Sequence, residues 1–265
     1  MKDVNLTIEW KKREEMYSKN YNHSTIDVAG TFYGILQQLR MLALLKESEG
    51  SVLDVGCADS PLLTWFAETR NSLVVGVDVV IPPKIPEAKW QRCNFVSGVA
   101  EYLPFRTNSF DTVVMGEVIE HVIDLQKVFA EACRVSRFKI LLSTPNRISN
   151  PLAKFSPGHL RSFSYGTLSD FLSSLHLSMK FVKQPIFPPL PPFVHRFFYV
   201  WARERYVVRG KRPREGTLKS QIIRAILRSL EEMSRIFPSL STTFVVSLEK
   251  ASSTTGVSSQ GASCT

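Results

Sequence analysis

The sequence predicts an α/β fold built on a doubly wound and mostly parallel sheet. The first observation is a series of short runs rich in Val, Leu and Ile, at residues 51–55, 72–80, 112–115 and 139–143. The second is that stretches with helical periodicity separate or follow these runs, at residues 61–69, 125–135 and 165–175. Strands this apolar, alternating with helices, are typical of a parallel sheet that is covered on both faces.

Composition places the chain among ordinary globular proteins. It has 265 residues, of which 44% are hydrophobic and 22% charged, and this length suits one domain. These values exclude a wholly disordered chain, a collagen and a disulfide-dense miniprotein. Lys and Arg exceed Asp and Glu by 33 to 24, a net charge of +9 that suits an anionic partner such as a nucleotide cofactor, a nucleic acid or a membrane surface.

Cysteine usage and hydropathy indicate the compartment. The four cysteines are scattered and show no C-x-x-C spacing, which argues against a zinc knuckle and suits a reducing compartment. The N-terminus shows no secretory signal, and no run reaches the ~20 apolar residues that a spanning helix needs. We expect a cytoplasmic protein, with peripheral contact at a membrane left open.

The predicted organisation is a single domain over residues 1–250. Its N-terminal part, residues 1–50, is expected to be helical, and an apolar stripe at 31–46 supports one helix there. Residues 251–265 consist mostly of Ser, Thr and Gly and lack core-forming side chains, which predicts a disordered tail.

A long insertion is predicted before the last strand. Strands are expected at 179–182 and 243–248, and their separation far exceeds an ordinary hairpin connection. We expect residues 185–237 to form a cap over the sheet. Residues 196–235 hold eleven Lys and Arg against four Glu, a net charge of +7, and several aromatic residues precede or accompany them. Such a surface suits an anionic membrane. RNA could bind the same basic and aromatic side chains. The third alternative is that the cap is only a lid.

A pattern that indicates chemistry begins at residues 51–60, SVLDVGCADS, where a buried strand runs into a turn of small residues that opens a helix. Gly56 lets the backbone approach a ligand closely, and the helix N-terminus offers free N–H groups. The next strand ends in Asp78, whose carboxylate can accept hydrogen bonds from both ribose hydroxyls of a nucleoside. Because ligands sit beyond the carboxyl ends of such strands, the two turns predict a nucleotide site.

Two later segments complete the pattern. Residues 98–105 read GVAEYLPF, and residues 109–122 read SFDTVVMGEVIEHV. Together with SVLDVGCADS and the GVD at 76–78, they resemble the class I S-adenosylmethionine-dependent methyltransferases that act on small molecules. The resemblance covers residues 51–146 most closely. It implies a Rossmann-like sheet of seven strands with the last one antiparallel, and S-adenosylmethionine as the cofactor.

The same resemblance implies roles for individual residues. Those implied to bind the cofactor are Asp54, Gly56, Cys57, Asp78, Val79, Ala100, Glu101, Gly116 and Glu117. The first motif would lie against the methionine part, Asp78 would bind the ribose, residues 100–101 would line the adenine pocket, and residues 116–117 would face the sulfonium. The chain departs from the family at Ala58, where a glycine is usual, and at Val99, where an Asp is usual.

Three roles are open for the E-x-x-E-H formed by Glu117, Glu120 and His121. They can shape the cofactor pocket and cap a helix. His121 can act as a general base, since its pKa lies near neutrality, and we take it as the candidate catalytic residue. They can also bind a metal, because the small-RNA 3′-end 2′-O-methyltransferases have this pattern with a later His, and His159 stands roughly there. We expect no metal dependence.

The function predicted from this resemblance is methyl transfer from S-adenosylmethionine to an O, N or C nucleophile. The expected acceptor is a small molecule, hydrophobic or membrane-associated, because of the basic and aromatic cap. Two alternatives remain open at this point: an RNA methyltransferase, with nucleic acid the less favoured partner, and a non-catalytic binding protein with the same fold.

Overall fold

The computed structural model describes seven parts of the chain. They are residues 32–58, 61–69, 72–80, 93–148, 158–182, 221 and 243–249. The predicted helices before residue 32, almost all of the predicted cap at 185–237 and the predicted tail at 251–265 lie outside the described residues. The predicted domain boundaries therefore stay predictions.

Seven strands form one sheet. They are β1 (Val52–Val55), β2 (Val74–Asp78), β3 (Asn94–Ser97), β4 (Phe110–Gly116), β5 (Ser136–Pro145), β6 (Ser178–Val182) and β7 (Thr243–Glu249). Their order is β3-β2-β1-β4-β5-β7-β6. The first five pair in parallel, and β7 runs antiparallel to both β5 and β6. The predicted fold class, including the antiparallel last strand, is confirmed.

Helices cover both faces of this sheet. The described ones are α1 (Phe32–Glu47), α2 (Pro61–Thr69), α3 (Leu125–Val135) and α4 (Tyr165–Ser174). Each lies within about two residues of its predicted bounds. Asp124 caps α3 by accepting a hydrogen bond from the Lys127 amide at 3.0 Å, and Ser164 opens α4 with a capping box. In the part of the chain that the structure describes, no helix is both long and apolar enough to cross a membrane.

The core is divided into two layers by the alternation of the strands. Leu53 on β1 and Val113 on β4 face the layer that contains α3 and α4. Their neighbours Val52 and Val114 face the layer that contains α1 and α2. Successive side chains of a strand point to opposite faces, so an uninterrupted apolar run supplies both layers at once.

One strand is absent from the sequence prediction. β3 lies at the edge of the sheet and its four residues, NFVS, are exposed or half-buried. An edge strand has one neighbour and little to bury, so it lacks the apolar run by which the central strands were recognised.

Helix α2 packs unusually close to β2. A Cβ added to Gly76 would stand 2.7 Å from Cys57 Sγ and 2.9 Å from Leu63 Cδ2, which is closer than atoms can approach. The absence of a side chain at Gly76 therefore sets the separation between the helix and the sheet next to the turn after β1.

We expect Gly76→Ala to lower the free energy of unfolding by about 1–3 kcal/mol, because an extra methyl group in a packed core forces its neighbours apart. Gly166→Ala, on α4, is the matched control, since a Cβ there would meet nothing within 4 Å. Urea denaturation measures both. Equal effects of the two substitutions would contradict the packing described for α2 and β2.

Candidate active site

The candidate site lies along the carboxyl edge of the parallel strands. Val55 at the end of β1 is in register with Val77 of β2 and with Met115 of β4. Gly116 of β4 is in register with Ser143 of β5. The turns after these four strands therefore lie side by side, as the sequence predicts, and this edge is where ligands bind in open sheets of this kind.

The turn after β1 is held in a conformation that side chains rarely adopt. Gly56 has φ 69°, and a Cβ there would stand 2.5 Å from Val118 Cγ2. Ala58 also has a positive φ, 44°, at a position where the family has glycine. An alanine in this region is strained, and its amide is held by a hydrogen bond to Asp78 Oδ2 at 2.9 Å.

Asp78 joins this turn to the next one. Its Oδ2 accepts from the Ala58 amide, and its Oδ1 accepts from the Val80 amide at 3.2 Å. Val79 lies between them, half-buried. A carboxylate has about four acceptor positions, so Asp78 keeps capacity for a ligand while it orients both turns. Its predicted role in binding ribose is compatible with this geometry.

Other predicted cofactor residues contribute mainly through position. The side chain of Glu101 is 5% exposed, and its Oε1 accepts from the Ile123 amide at 3.0 Å, tying the 98–105 segment to the chain before α3. Ala100 is half-buried beside it. The thiol of Cys57 is buried, which raises its pKa, so it is a neutral group at neutral pH. The predicted contacts of these residues with a cofactor stay predictions.

A buried arginine at this edge was missed by the sequence analysis. Arg40, on α1, is 9% exposed, and its Nη1 donates to Ser143 Oγ at 2.9 Å. Ser143 donates in turn to Glu117 Oε1 at 3.3 Å. Gln37 accepts from Arg40 Nε at 2.8 Å. Arg40 occurs in a helix with an ordinary apolar stripe. Its position in that pattern does not distinguish it from a solvent-exposed arginine.

Three buried carboxyl groups face this cation. Burial raises the pKa of Asp54 to about 7, Arg40 opposes that rise, and Asp78 adds to it. Burial also raises the pKa of Glu117, against the effects of Arg40 and the Ser143 hydroxyl. The pKa of Glu120 is raised well above its usual range, first by burial and then by the neighbouring Glu117. Clustered acids of this kind are frequent at functional sites.

The E-x-x-E-H segment brings Glu120 and His121 next to His159. The imidazole rings of His121 and His159 have centroids 4.5 Å apart and are nearly perpendicular, at 87°. One ligand atom from each of Glu120, His121 and His159 lies within 4.8 Å of the others. Glu117 is not part of this group in the structure; it has a positive φ of 60° and is held by Ser143.

The segment that carries His159 is tied to the E-x-x-E-H segment by hydrogen bonds from the Leu160 amide and the Arg161 side chain. The Leu160 amide donates to the Glu120 carbonyl at 2.8 Å. The Arg161 guanidinium donates to the carbonyls of Ile123, at 3.0 Å, and Ile119, at 3.4 Å. The juxtaposition of His121 and His159 is therefore built by several long-range hydrogen bonds.

We expect Asp54→Asn to flatten the dependence of stability on pH. The folded protein keeps the Asp54 proton up to about pH 7, whereas the unfolded chain releases it near 3.8. The wild-type chain therefore loses stability as pH rises through this window, and Asn, which does not ionise, does not. Between pH 5 and pH 8, the unfolding free energy of Asp54→Asn minus that of the wild type should rise by about 2–3 kcal/mol.

Chemical denaturation at pH 5, 6, 7 and 8 measures this shift. Asp170→Asn, an exposed acid on α4, is the control. If the unfolding free energies of the wild type and Asp54→Asn change in parallel with pH, Asp54 is already ionised in the folded protein at pH 5, and the raised pKa is contradicted.

Part of the chain is similar to known methyltransferases. Residues 53–138 match the family model described as a methyltransferase domain. A demethylmenaquinone methyltransferase from Roseiflexus castenholzii is 36% identical over 92 residues, 33% of this chain and 39% of that protein. A probable S-adenosylmethionine-dependent methyltransferase from Mycolicibacterium smegmatis is 31% identical over 134 residues, 46% of this chain and 50% of that protein. The chain thus spans half or less of the curated relatives it matches.

Solved structures agree with the fold. A possible histamine N-methyltransferase from Thermotoga maritima has a TM-score of 0.51 and 20% identity, covering 82% of this chain and 90% of that one. The YcgJ protein from Bacillus subtilis has a TM-score of 0.50 and 19% identity, covering 80% and 96%. The predicted resemblance and fold class are confirmed: residues 53–138 match the methyltransferase domain model, and the sheet shares its fold with these solved structures.

Proposed function

We propose that this protein transfers the methyl group of S-adenosylmethionine to a small, hydrophobic acceptor. The observation that carries the proposal is the pair of turns at the carboxyl edge, in which the Asp78 carboxylate accepts a hydrogen bond from Ala58 in the turn that begins at Gly56. The family match and the relatives named as methyltransferases support the reaction and the cofactor.

The residues at this edge fit the chemistry of S-adenosylmethionine. Asp78 offers carboxylate oxygens for the ribose hydroxyls. Arg40 is a cation beside the same edge and suits a carboxylate, and Glu117 suits an ammonium or a sulfonium. Gly56, at the start of the turn after β1, presents no side chain of its own to the methionine part. The ribose and the methionine part of the cofactor therefore each have a described residue of matching charge or polarity.

The protein has little covalent chemistry to perform. The sulfonium of the bound cofactor supplies an activated methyl group. The residues of the chain have to hold the acceptor in line with it, exclude water and, for a hydroxyl acceptor, take up a proton. His121 is the predicted base for that proton.

A hydrophobic acceptor is favoured by the relatives. Two Roseiflexus proteins that match this chain are named demethylmenaquinone methyltransferases, at 36% and 35% identity. The basic and aromatic composition of the predicted cap agrees with an acceptor held at a membrane surface, because aromatic rings and cationic side chains together suit the headgroup region. We propose peripheral contact with anionic membranes on this basis.

We expect Asp78→Ala to raise the dissociation constant of S-adenosylhomocysteine about 10- to 100-fold, since loss of charged hydrogen bonds costs ~1–3 kcal/mol. Isothermal calorimetry on the full chain measures it. Asp170→Ala, which removes an exposed carboxylate on α4, should bind like the wild type. A wild-type affinity in Asp78→Ala would remove the ribose role, and no binding by the wild type would contradict the cofactor assignment.

We expect the chain to float with anionic vesicles at low salt, and less at high salt. Replacing Lys211 and Arg212 in the predicted cap by Ser should weaken the association about tenfold or more, because each cation near the surface contributes ~1 kcal/mol. The matched control replaces the exposed Arg106 and Lys180. A chain that stays in the soluble fraction at low salt would overturn the membrane proposal.

A further inference from the structure

We propose that Glu120, His121 and His159 bind one divalent transition-metal ion beside the candidate methyl-transfer site. The remaining positions on that ion would accept an oxygen of the acceptor. Metal binding is independent of the proposed function; the role toward the acceptor rests on it.

The candidate ligand atoms converge on one small region. The three candidate ligand atoms lie within 4.8 Å of one another. Ligands of one bound ion of this class stand about 3–4 Å apart, because each bond is ~2.0–2.2 Å long. A small rotation of the side chains closes that difference. The two imidazole rings are direct neighbours, with centroids 4.5 Å apart.

One carboxylate oxygen of Glu120 is buried without a hydrogen bond in the described part of the structure. Glu120 is 1% exposed, and Thr144 Oγ1 donates to its Oε2 at 3.2 Å. Within the described residues, its Oε1 is buried and has no hydrogen-bond partner. A buried oxygen left in this state costs about 1–3 kcal/mol. A cation at this point would satisfy it, and Thr144 would then orient the ligating carboxylate in the way that groups behind metal ligands usually do.

Hydrogen bonds within the protein place the ligands side by side without an ion. His159 comes from a different segment of the chain, and three hydrogen bonds join that segment to residues 119–123: Leu160 to Glu120, and Arg161 to Ile119 and Ile123. The Leu160 bond joins two backbone groups, and the other two join the Arg161 guanidinium to backbone carbonyls, so both the backbone and a side chain fix the position of the segment. Preorganised ligands bind a metal without a further cost of ordering the chain.

The structure favours three ligands over the four that the sequence pattern suggests. Glu117 accepts from Ser143, which Arg40 also bonds, and lies outside the cluster. Two imidazoles and one carboxylate are a mixed nitrogen and oxygen set that suits Zn²⁺, Co²⁺ or Fe²⁺ better than Mg²⁺ or Ca²⁺. Three protein ligands leave positions open on any of these ions. The sequence alone led us to expect no metal, and the placement of His159 is what changes that expectation.

An open metal position would give the reaction a proton-releasing step in place of the predicted base, because a His121 that ligates the ion is not available to take up the proton. A hydroxyl oxygen of the acceptor bound there loses its proton to solvent more easily than a free hydroxyl. The resulting oxyanion then forms the new C–O bond as the C–S bond of the sulfonium breaks, and the electrons of that bond remain on sulfur. Charge and atoms balance with no further reactant.

Titration of the full-length chain with Co²⁺ tests the site, using a preparation without a histidine tag. Visible absorption reports Co²⁺ bound by nitrogen and oxygen ligands, and competition with Zn²⁺ gives its affinity. We expect one ion per chain. Glu120→Gln and His159→Ala should each raise the dissociation constant at least tenfold. His176→Asn is the control, because His176 is exposed, lies outside the cluster and has a φ of 57° that Asn tolerates.

The outcomes separate this proposal from the proposed function. Wild-type affinity in both Glu120→Gln and His159→Ala, or no ion bound by the wild type, would overturn the metal site. Circular dichroism melting checks folding, and if Glu120→Gln does not fold, His159→Ala decides. S-adenosylhomocysteine binding is measured on the same wild-type sample: its absence with Co²⁺ bound would overturn the cofactor assignment and leave the metal site standing.

Discussion

One buried cation organises the functional edge of this sheet. Arg40 comes from the helix before the first strand and faces three carboxyl groups, those of Asp54, Glu117 and Glu120, each with a raised pKa. Burying several acids together is costly unless a positive charge or a hydrogen bond compensates. Arg40 supplies the charge, and its bond to Ser143 Oγ links it to the end of β5. Helix α1 is therefore a structural part of the site as well as a cover for the sheet.

Two residues at this edge also have a strained backbone. Ala58 and Glu117 both have positive φ values, which side chains rarely adopt. Such residues cost about 1–3 kcal/mol each and persist where the surrounding structure fixes them. Ala58 is fixed by Asp78, and the Glu117 amide by a bond to the Ser143 carbonyl. The turns after β1 and β4 therefore keep their conformation at some expense of stability.

Much of this architecture could be predicted from the sequence, and the exceptions have physical reasons. The central strands are apolar throughout because both faces are buried, so β1 and β4 are visible as runs. β3 is not, because an edge strand buries little. Arg40 could not be recognised, since nothing in a helical pattern distinguishes a buried arginine from an exposed one before the helix is placed on the sheet. The position of His159 beside His121 depends on hydrogen bonds between distant segments, which periodicity does not report.

Transfer of a labelled methyl group tests the central claim most directly. The full-length chain, S-adenosylmethionine labelled in its methyl group and a total lipid extract are incubated together, with total RNA in a parallel sample. The account predicts label in a small, organic-extractable product, and none in RNA. Label in RNA, or no transfer to either pool from a chain that binds S-adenosylhomocysteine, would contradict a methyltransferase that acts on a small hydrophobic acceptor.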